Sequence, residues 1–116
     1  MPLIKVQTSL AAPAKDEVES MLLSLSSKLA SHLSKPESYV MTAFEPEVAM
    51  TFAGTTEPVC YVEIKSVGTM GDRTQTMSED FCNEISQTLG IDKNRIYIEF
   101  ADAKGSMWGW NGRTFG

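Results

Sequence analysis

A chain of 116 residues is long enough for one domain with a core of ordinary size and too short for two. A formal net charge of −5 leaves no excess of basic residues for nucleic acid or an anionic membrane surface, which excludes both as partners. No stretch approaches the roughly 18–20 apolar residues of a membrane span, and Lys5 followed by polar residues from Gln7 is no signal peptide, so cytoplasmic residence is the expectation.

Leu3–Val6 reads as an apolar strand, headed by Met1-Pro2. After the turn residues Ser9 to Pro13, an apolar stripe of Val18, Met21, Leu22, Leu25, Leu29 and Leu33 predicts a long amphipathic helix. Asp16, Glu17 and Glu19 suit its N-terminal end and Lys28 its C-terminal half, and Ser34-Lys35-Pro36 ends it. Tyr39–Phe44 is a second strand, rich in β-forming residues. Glu45-Pro46-Glu47 breaks it, and Ala53 to Pro58 is a loop after a short apolar piece, Val48–Phe52. Val59–Val67 is a third strand, with Cys60, Val62 and Ile64 on one face and Tyr61, Glu63 and Lys65 on the other. Met77, Phe81, Cys82, Ile85 and Leu89 mark a second helix closed by Gly90, Arg95–Ala101 a fourth strand, and Ala103 to Ser106 a turn into Met107-Trp108-Gly109-Trp110.

The order strand–helix–strand thus occurs twice in a single domain, as pseudo-repeats of about 1–57 and 58–116, opened by Pro2 and Pro58. Lys35-Pro36-Glu37-Ser38-Tyr39 aligns with Lys93-Asn94-Arg95-Ile96-Tyr97 as a shared Lys-x-x-x-Tyr. Two right-handed β-α-β units predict a four-stranded sheet with both helices on one face, a two-layer α/β sandwich. Strand residues of both parities are apolar, as in Leu3 and Ile4 or Tyr97 and Ile98, so the helix-free face is expected to be covered by another copy.

Chemistry-bearing residues are few. Cys60 and Cys82 have neither metal-ligand nor redox spacing and read as buried thiols. His32 reads as a solvated helix residue, and one histidine supports neither a zinc site nor a nucleophilic triad; no cofactor is expected. Pro2 is different in kind. Once Met1 is removed, its nitrogen is a secondary amine held rigidly by its ring, and burial with a nearby cation would lower its pKa into the range of a general base. Taken alone, Pro2 is better read as an incidental second residue, and Lys35 as a cap on the last carbonyls of its helix.

Met1-Pro2 at the head of a strand, Gly54-Thr55-Thr56-Glu57-Pro58, Ser66-Val67-Gly68, Asn94-Arg95-Ile96-Tyr97-Ile98 and Gly109-Trp110-Asn111-Gly112-Arg113-Thr114-Phe115 together resemble the macrophage migration inhibitory factor family of the tautomerase superfamily, nearly end to end. The resemblance implies a homotrimer whose sheets surround a central channel, with a site at each subunit boundary. It implies keto–enol tautomerisation of aryl pyruvates such as phenylpyruvate, and of dopachrome analogues. By position, Pro2 would be the base, and Lys35 would hold a substrate oxygen and lower the proline's pKa. The amide of Val67, next to Ser66, would bind the carboxylate, Tyr97 of a neighbouring subunit would line the pocket, and Tyr39, Trp110 and Phe115 would form its aromatic rim.

The departures from the family pattern also carry expectations. Val59-Cys60-Tyr61-Val62 stands where some members have a redox Cys-x-x-Cys, which argues against thiol reductase activity. Glu99 replaces an asparagine of the vertebrate proteins and, facing the pocket, would repel an anionic keto acid; Met107 and Trp108 replace smaller rim residues and would narrow the slot. Ala11-Ala12 lacks the receptor-binding arginine of the vertebrate cytokine, while Glu47 keeps its acidic partner. The alternative to an enzyme is therefore an interaction protein or cytokine mimic with a weak or vestigial pocket, which would bind a receptor after non-classical secretion.

Overall fold

A computed structural model describes residues 1–116. Its elements are β1 (Pro2–Thr8), α1 (Lys15–Leu33), β2 (Met41–Glu45), β3 (Cys60–Val67), α2 (Thr74–Leu89), β4 (Ile96–Ala103) and a short hairpin of β5 (Gly109–Trp110) and β6 (Arg113–Thr114). The sheet order is β2-β1-β3-β4. β1 and β3 are antiparallel neighbours at the centre, and each carries its own parallel outer strand, β2 on β1 and β4 on β3.

Strict alternation makes the two layers. Ile4, Val6, Cys60, Val62 and Ile64 point to the helices and are essentially inaccessible. They meet Met21, Leu25, Leu29 and Leu33 of α1 and Met77, Phe81, Ile85 and Leu89 of α2 in one cluster. Each large apolar side chain so buried contributes about 1.5–3 kcal/mol, which outweighs the unremarkable helix propensity of the serine-rich α1. That helix ends at Ser34, in the left-handed conformation with its N–H turned back on α1 carbonyls, so the chain leaves the helix axis just where Lys35 must turn toward the sheet.

Several expectations need correction. The second strand starts at Met41, because Glu37–Tyr39 forms a 3-10 turn behind Pro36. The matching turn before β4 is Lys93–Arg95, so Tyr39 ends a turn whereas Tyr97 lies within a strand, and the two Lys-x-x-x-Tyr segments do not occupy equivalent places. The helix-free face is not apolar: it carries Lys5, Gln7, Tyr61, Glu63, Lys65 and Glu99, with Leu3 and Met41 at one end and Tyr97 at the other. Cys82 is only half-buried, sited on the edge of the α2 stripe with its thiol toward the carbonyl oxygen of Lys93. His32 is not solvated. Its ring packs edge-on against Phe81, and its Nε2 lies 2.7 Å from Asp80 Oδ2; the carboxylate only accepts, so that nitrogen carries the proton. Lys28 is likewise drawn across to α2, bonding Asp80 at 2.8 Å and approaching Glu84 at 2.9 Å.

Candidate active site

The start of β1 lies in the floor of a cleft. Pro2 is fully buried there, paired across the antiparallel ladder with Ser66. Lys35 reaches over from the end of α1, and its ammonium donates to Ser66 Oγ at 2.9 Å and to the carbonyl of Val67. A Lys ammonium has three donors; these two acceptors fix the charge beside the chain's head, and the third donor turns to the Met1 amino group. The amino group of Met1 is held below its ordinary value there, first by burial and then by the adjacent charge of Lys35.

The cleft has a volume of about 290 Å³ and is walled largely by apolar side chains, among them Tyr39, Val40, Met41, Trp108, Trp110 and Phe115. Tyr39 meets Trp110 edge-on at 5.4 Å, and Trp110 stacks on Phe115 at 6.1 Å, arrangements favourable for aromatic pairs. The wall depends on the tail hairpin. Asn111 and Gly112 both have positive φ, the requirement of a two-residue I′ turn, and the Phe115 N–H donates to the carbonyls of Gly105 and Trp108. A Cβ on Gly105 would stand 2.8 Å from the Phe115 carbonyl oxygen, so only glycine lets the tail close.

One chain thus brings Pro2, Lys35, Ser66, Val67, Tyr39, Trp108, Trp110 and Phe115 to a single end of the sheet. Val67 flanks an adjoining opening that shares Phe115 with the cleft. Tyr97 and Glu99 are elsewhere. Tyr97 pairs with Tyr61, five residues along β3 from Ser66, roughly 17 Å away at about 3.3 Å per residue. Its ring is 64% exposed and packs edge-on against Phe52 at 4.9 Å. Glu99 accepts a hydrogen bond from the Tyr61 hydroxyl and does not face this chain's cleft. Met107 is 78% exposed and, unlike Trp108, is no part of the wall.

Sequence reading overlooked Met1, Leu3, Val40 and Met41 as lining residues, and the tail hairpin that holds Trp110. The Asn111-Gly112 pair was the available signal for that hairpin.

The profile of the family described as "Macrophage migration inhibitory factor (MIF)" matches residues 1–116. The chain belongs to the macrophage migration inhibitory factor family. It is 33% identical over 116 residues to macrophage migration inhibitory factor of Meriones unguiculatus, covering 99% of both chains. It is 34% identical to the homolog of Trichinella spiralis, with 99% of this chain and all of the other covered. Among solved structures, the macrophage migration inhibitory factor homologue from Prochlorococcus marinus superposes with a TM-score of 0.93 at 55% identity, covering 98% of this chain and 99% of the other. Membership in the family supports a tautomerase or a cytokine, two readings between which the cleft's own chemistry has to choose. No helix is long and apolar enough to cross a membrane.

Proposed function

We propose that the protein is a keto–enol tautomerase of aryl pyruvates such as phenylpyruvate, with Pro2 as general base after removal of Met1, acting as a homotrimer. The observation that carries this reading is the head of β1 sunk in an aromatic cleft beside Lys35, where an amine is held below its ordinary pKa. A neutral Pro2 nitrogen takes a proton from the carbon between the aryl ring and the ketone. The electron pair of that C–H bond becomes the new C=C bond, and the ketone oxygen gains the negative charge. The third donor of Lys35, released when Met1 is removed, meets that oxygen, whose protonation completes the enol. The Val67 amide and Ser66 receive the substrate carboxylate, and the aryl ring lies among Tyr39, Trp110 and Phe115, with Trp108 narrowing the entrance.

Tyr97 contributes from a neighbouring copy, since its own chain holds it at the far end of the sheet. Edge strands β2 and β4 are open to partners and present Met41 and Tyr97, 66% and 64% exposed. The polar helix-free face suits the water-filled channel between three sheets better than a dry interface. Glu99, which makes no ion pair and shares a face with Tyr97, favours the second reading, an interaction protein whose pocket turns over slowly.

Intact-mass measurement and phenylpyruvate tautomerisation on one purified sample test the proposal. Loss of one methionine mass together with turnover supports it. Loss of methionine with no turnover counts against it and for the interaction protein.

A further inference from the structure

The last carbonyls of a helix lack partners inside it, and a lysine just past the end can donate to them. At the end of α1 that work is divided. The backbone N–H groups of Ser34 and Lys35 turn back to the carbonyls of Ser31 and Ala30. The carbonyl of Leu33 instead receives the guanidinium of Arg73, which donates to it at 3.3 Å. The other cations at this end are committed elsewhere, Lys28 and His32 to Asp80 and Lys35 to Ser66 and Val67.

Arg73 stands on an anchored loop that joins β3 to α2. The Gly68 N–H donates to the carbonyl of Ala103 at 2.9 Å, the Met70 N–H to Asp102 Oδ1 at 3.0 Å, and the Arg73 N–H to the carbonyl of Met70 at 3.2 Å. The Met70 side chain is buried in the core cluster. The loop therefore grips the end of α1 from two sides. Val67, where the loop begins, receives the Lys35 ammonium, and Arg73, where it finishes, holds the carbonyl two residues before Lys35.

We infer that Arg73 is a positioning residue for the cleft: by capping α1 at Leu33 it fixes the backbone from which Lys35 departs and frees the Lys35 ammonium for the head of β1. The inference rests on the tautomerase reading, in which that ammonium keeps the Pro2 amine neutral and meets the ketone oxygen. Arg73 itself touches neither base nor substrate. Without it, the negative end of α1 and the bare Leu33 carbonyl attract the nearest free cation, which draws Lys35 back over the helix end and away from Ser66.

The experiment follows two quantities in protein freed of Met1: kcat/KM for phenylpyruvate against pH, and the titration of the Pro2 nitrogen by NMR with isotope-labelled proline. Arg73 is exposed, so its truncation leaves the core intact. Arg73→Ala is expected to lower kcat/KM at neutral pH about fivefold, the size of one net hydrogen bond spent on orientation. It should also move the acidic limb and the Pro2 titration to higher pH, since an amine that loses a neighbouring cation holds its proton more tightly. Arg73→Lys, which keeps a charged donor for the one carbonyl, is expected to restore both. In a Lys35→Ala background, Arg73→Ala is expected to change neither, because a residue that acts through Lys35 then has nothing to position. A limb and titration unmoved by Arg73→Ala overturn this inference alone, as does a shift of equal size with Lys35 absent, which makes Arg73 act by its own charge. Absence of turnover in the unsubstituted protein overturns the tautomerase reading and the inference with it.

Discussion

The two halves of the chain, β1-α1-β2 and β3-α2-β4, end in the same device, a tight turn that sets an aromatic ring against a tyrosine of the other half. After β2, Ala53 and Gly54 turn with positive φ and present Phe52 edge-on to Tyr97. After β4, Asn111 and Gly112 do likewise and present Trp110 edge-on to Tyr39. Only the second device leaves an apolar cleft. Around Phe52, the guanidinium of Arg95 lies 5.2 Å from the ring centroid and donates to the carbonyls of Phe52, Glu57 and Pro58. Around Trp110, the chain's head supplies Pro2, and Lys35 spends its charge on Ser66 and Val67 one strand away. A cation in the middle of one cluster closes it, whereas a cation at the margin of the other leaves room beside a buried nitrogen.

Breaking the working end should show the largest effect. Pro2→Gly is expected to lower kcat/KM for phenylpyruvate at least about 100-fold, the usual contribution of a positioned base. Lys35→Ala is expected to cost a similar factor and to shift the pH profile. The amine must be neutral to act, and burial and the Lys35 charge lower the pKa of an amine at this position. The acidic limb of kcat/KM should therefore move to higher pH when Lys35 is removed.

The turns sharpen the contrast at intermediate size. Gly105→Ala forces a Cβ against the Phe115 carbonyl and should raise KM severalfold by displacing the aromatic wall, with a loss of about 1–3 kcal/mol in denaturant unfolding. Ala53→Gly, in the other turn, relieves a non-glycine residue at φ 54 and should stabilise the fold by about 0.5–1 kcal/mol without touching KM.

The smallest effect belongs to the helical layer. Asp80 is partly buried, which raises its carboxyl pKa, but the hydrogen bonds from Lys28 and His32 outweigh burial and leave it lowered. A carboxylate with a depressed folded pKa adds stability above its unfolded pKa, near 3.9, and that stability is lost as pH falls through the folded value. Asp80→Ala should therefore cost about 1 kcal/mol at neutral pH, as expected of a partly exposed ion pair, and the difference from the unsubstituted protein should vanish in unfolding curves measured well below pH 4.

Local pattern carried a large share of this molecule. The alternation in Val59–Val67, the stripe from Met21 to Leu33 and the stripe from Met77 to Leu89 each follow from a period of 2 or 3.6 residues, and their burial agrees. Pro2 and Lys35 stood out through the family resemblance; on their own, a second-position proline and a lysine at a helix end read as incidental residue and cap. Two errors came from neighbours that local pattern does not show: His32 read as solvated because nothing in its own helix says that Asp80 stands opposite, and Cys82 read as buried because it borders an apolar stripe.

Strand and helix positions, the two-layer arrangement and the chemistry available at Pro2 lie in short-range order along the chain, where side-chain period and backbone restriction act within a few residues. The cleft lies in long-range order. Its walls come from residues 1–3, 38–41 and 108–115, joined because β1 and β2 pair in parallel while the tail returns across the end of the sheet. The sheet register sends Tyr97 to the opposite end and leaves Glu99 in the middle of the sheet, across from Glu63. Registers and tail docking depend on the sum of many distant contacts, none of which leaves a signature at the residues it brings together.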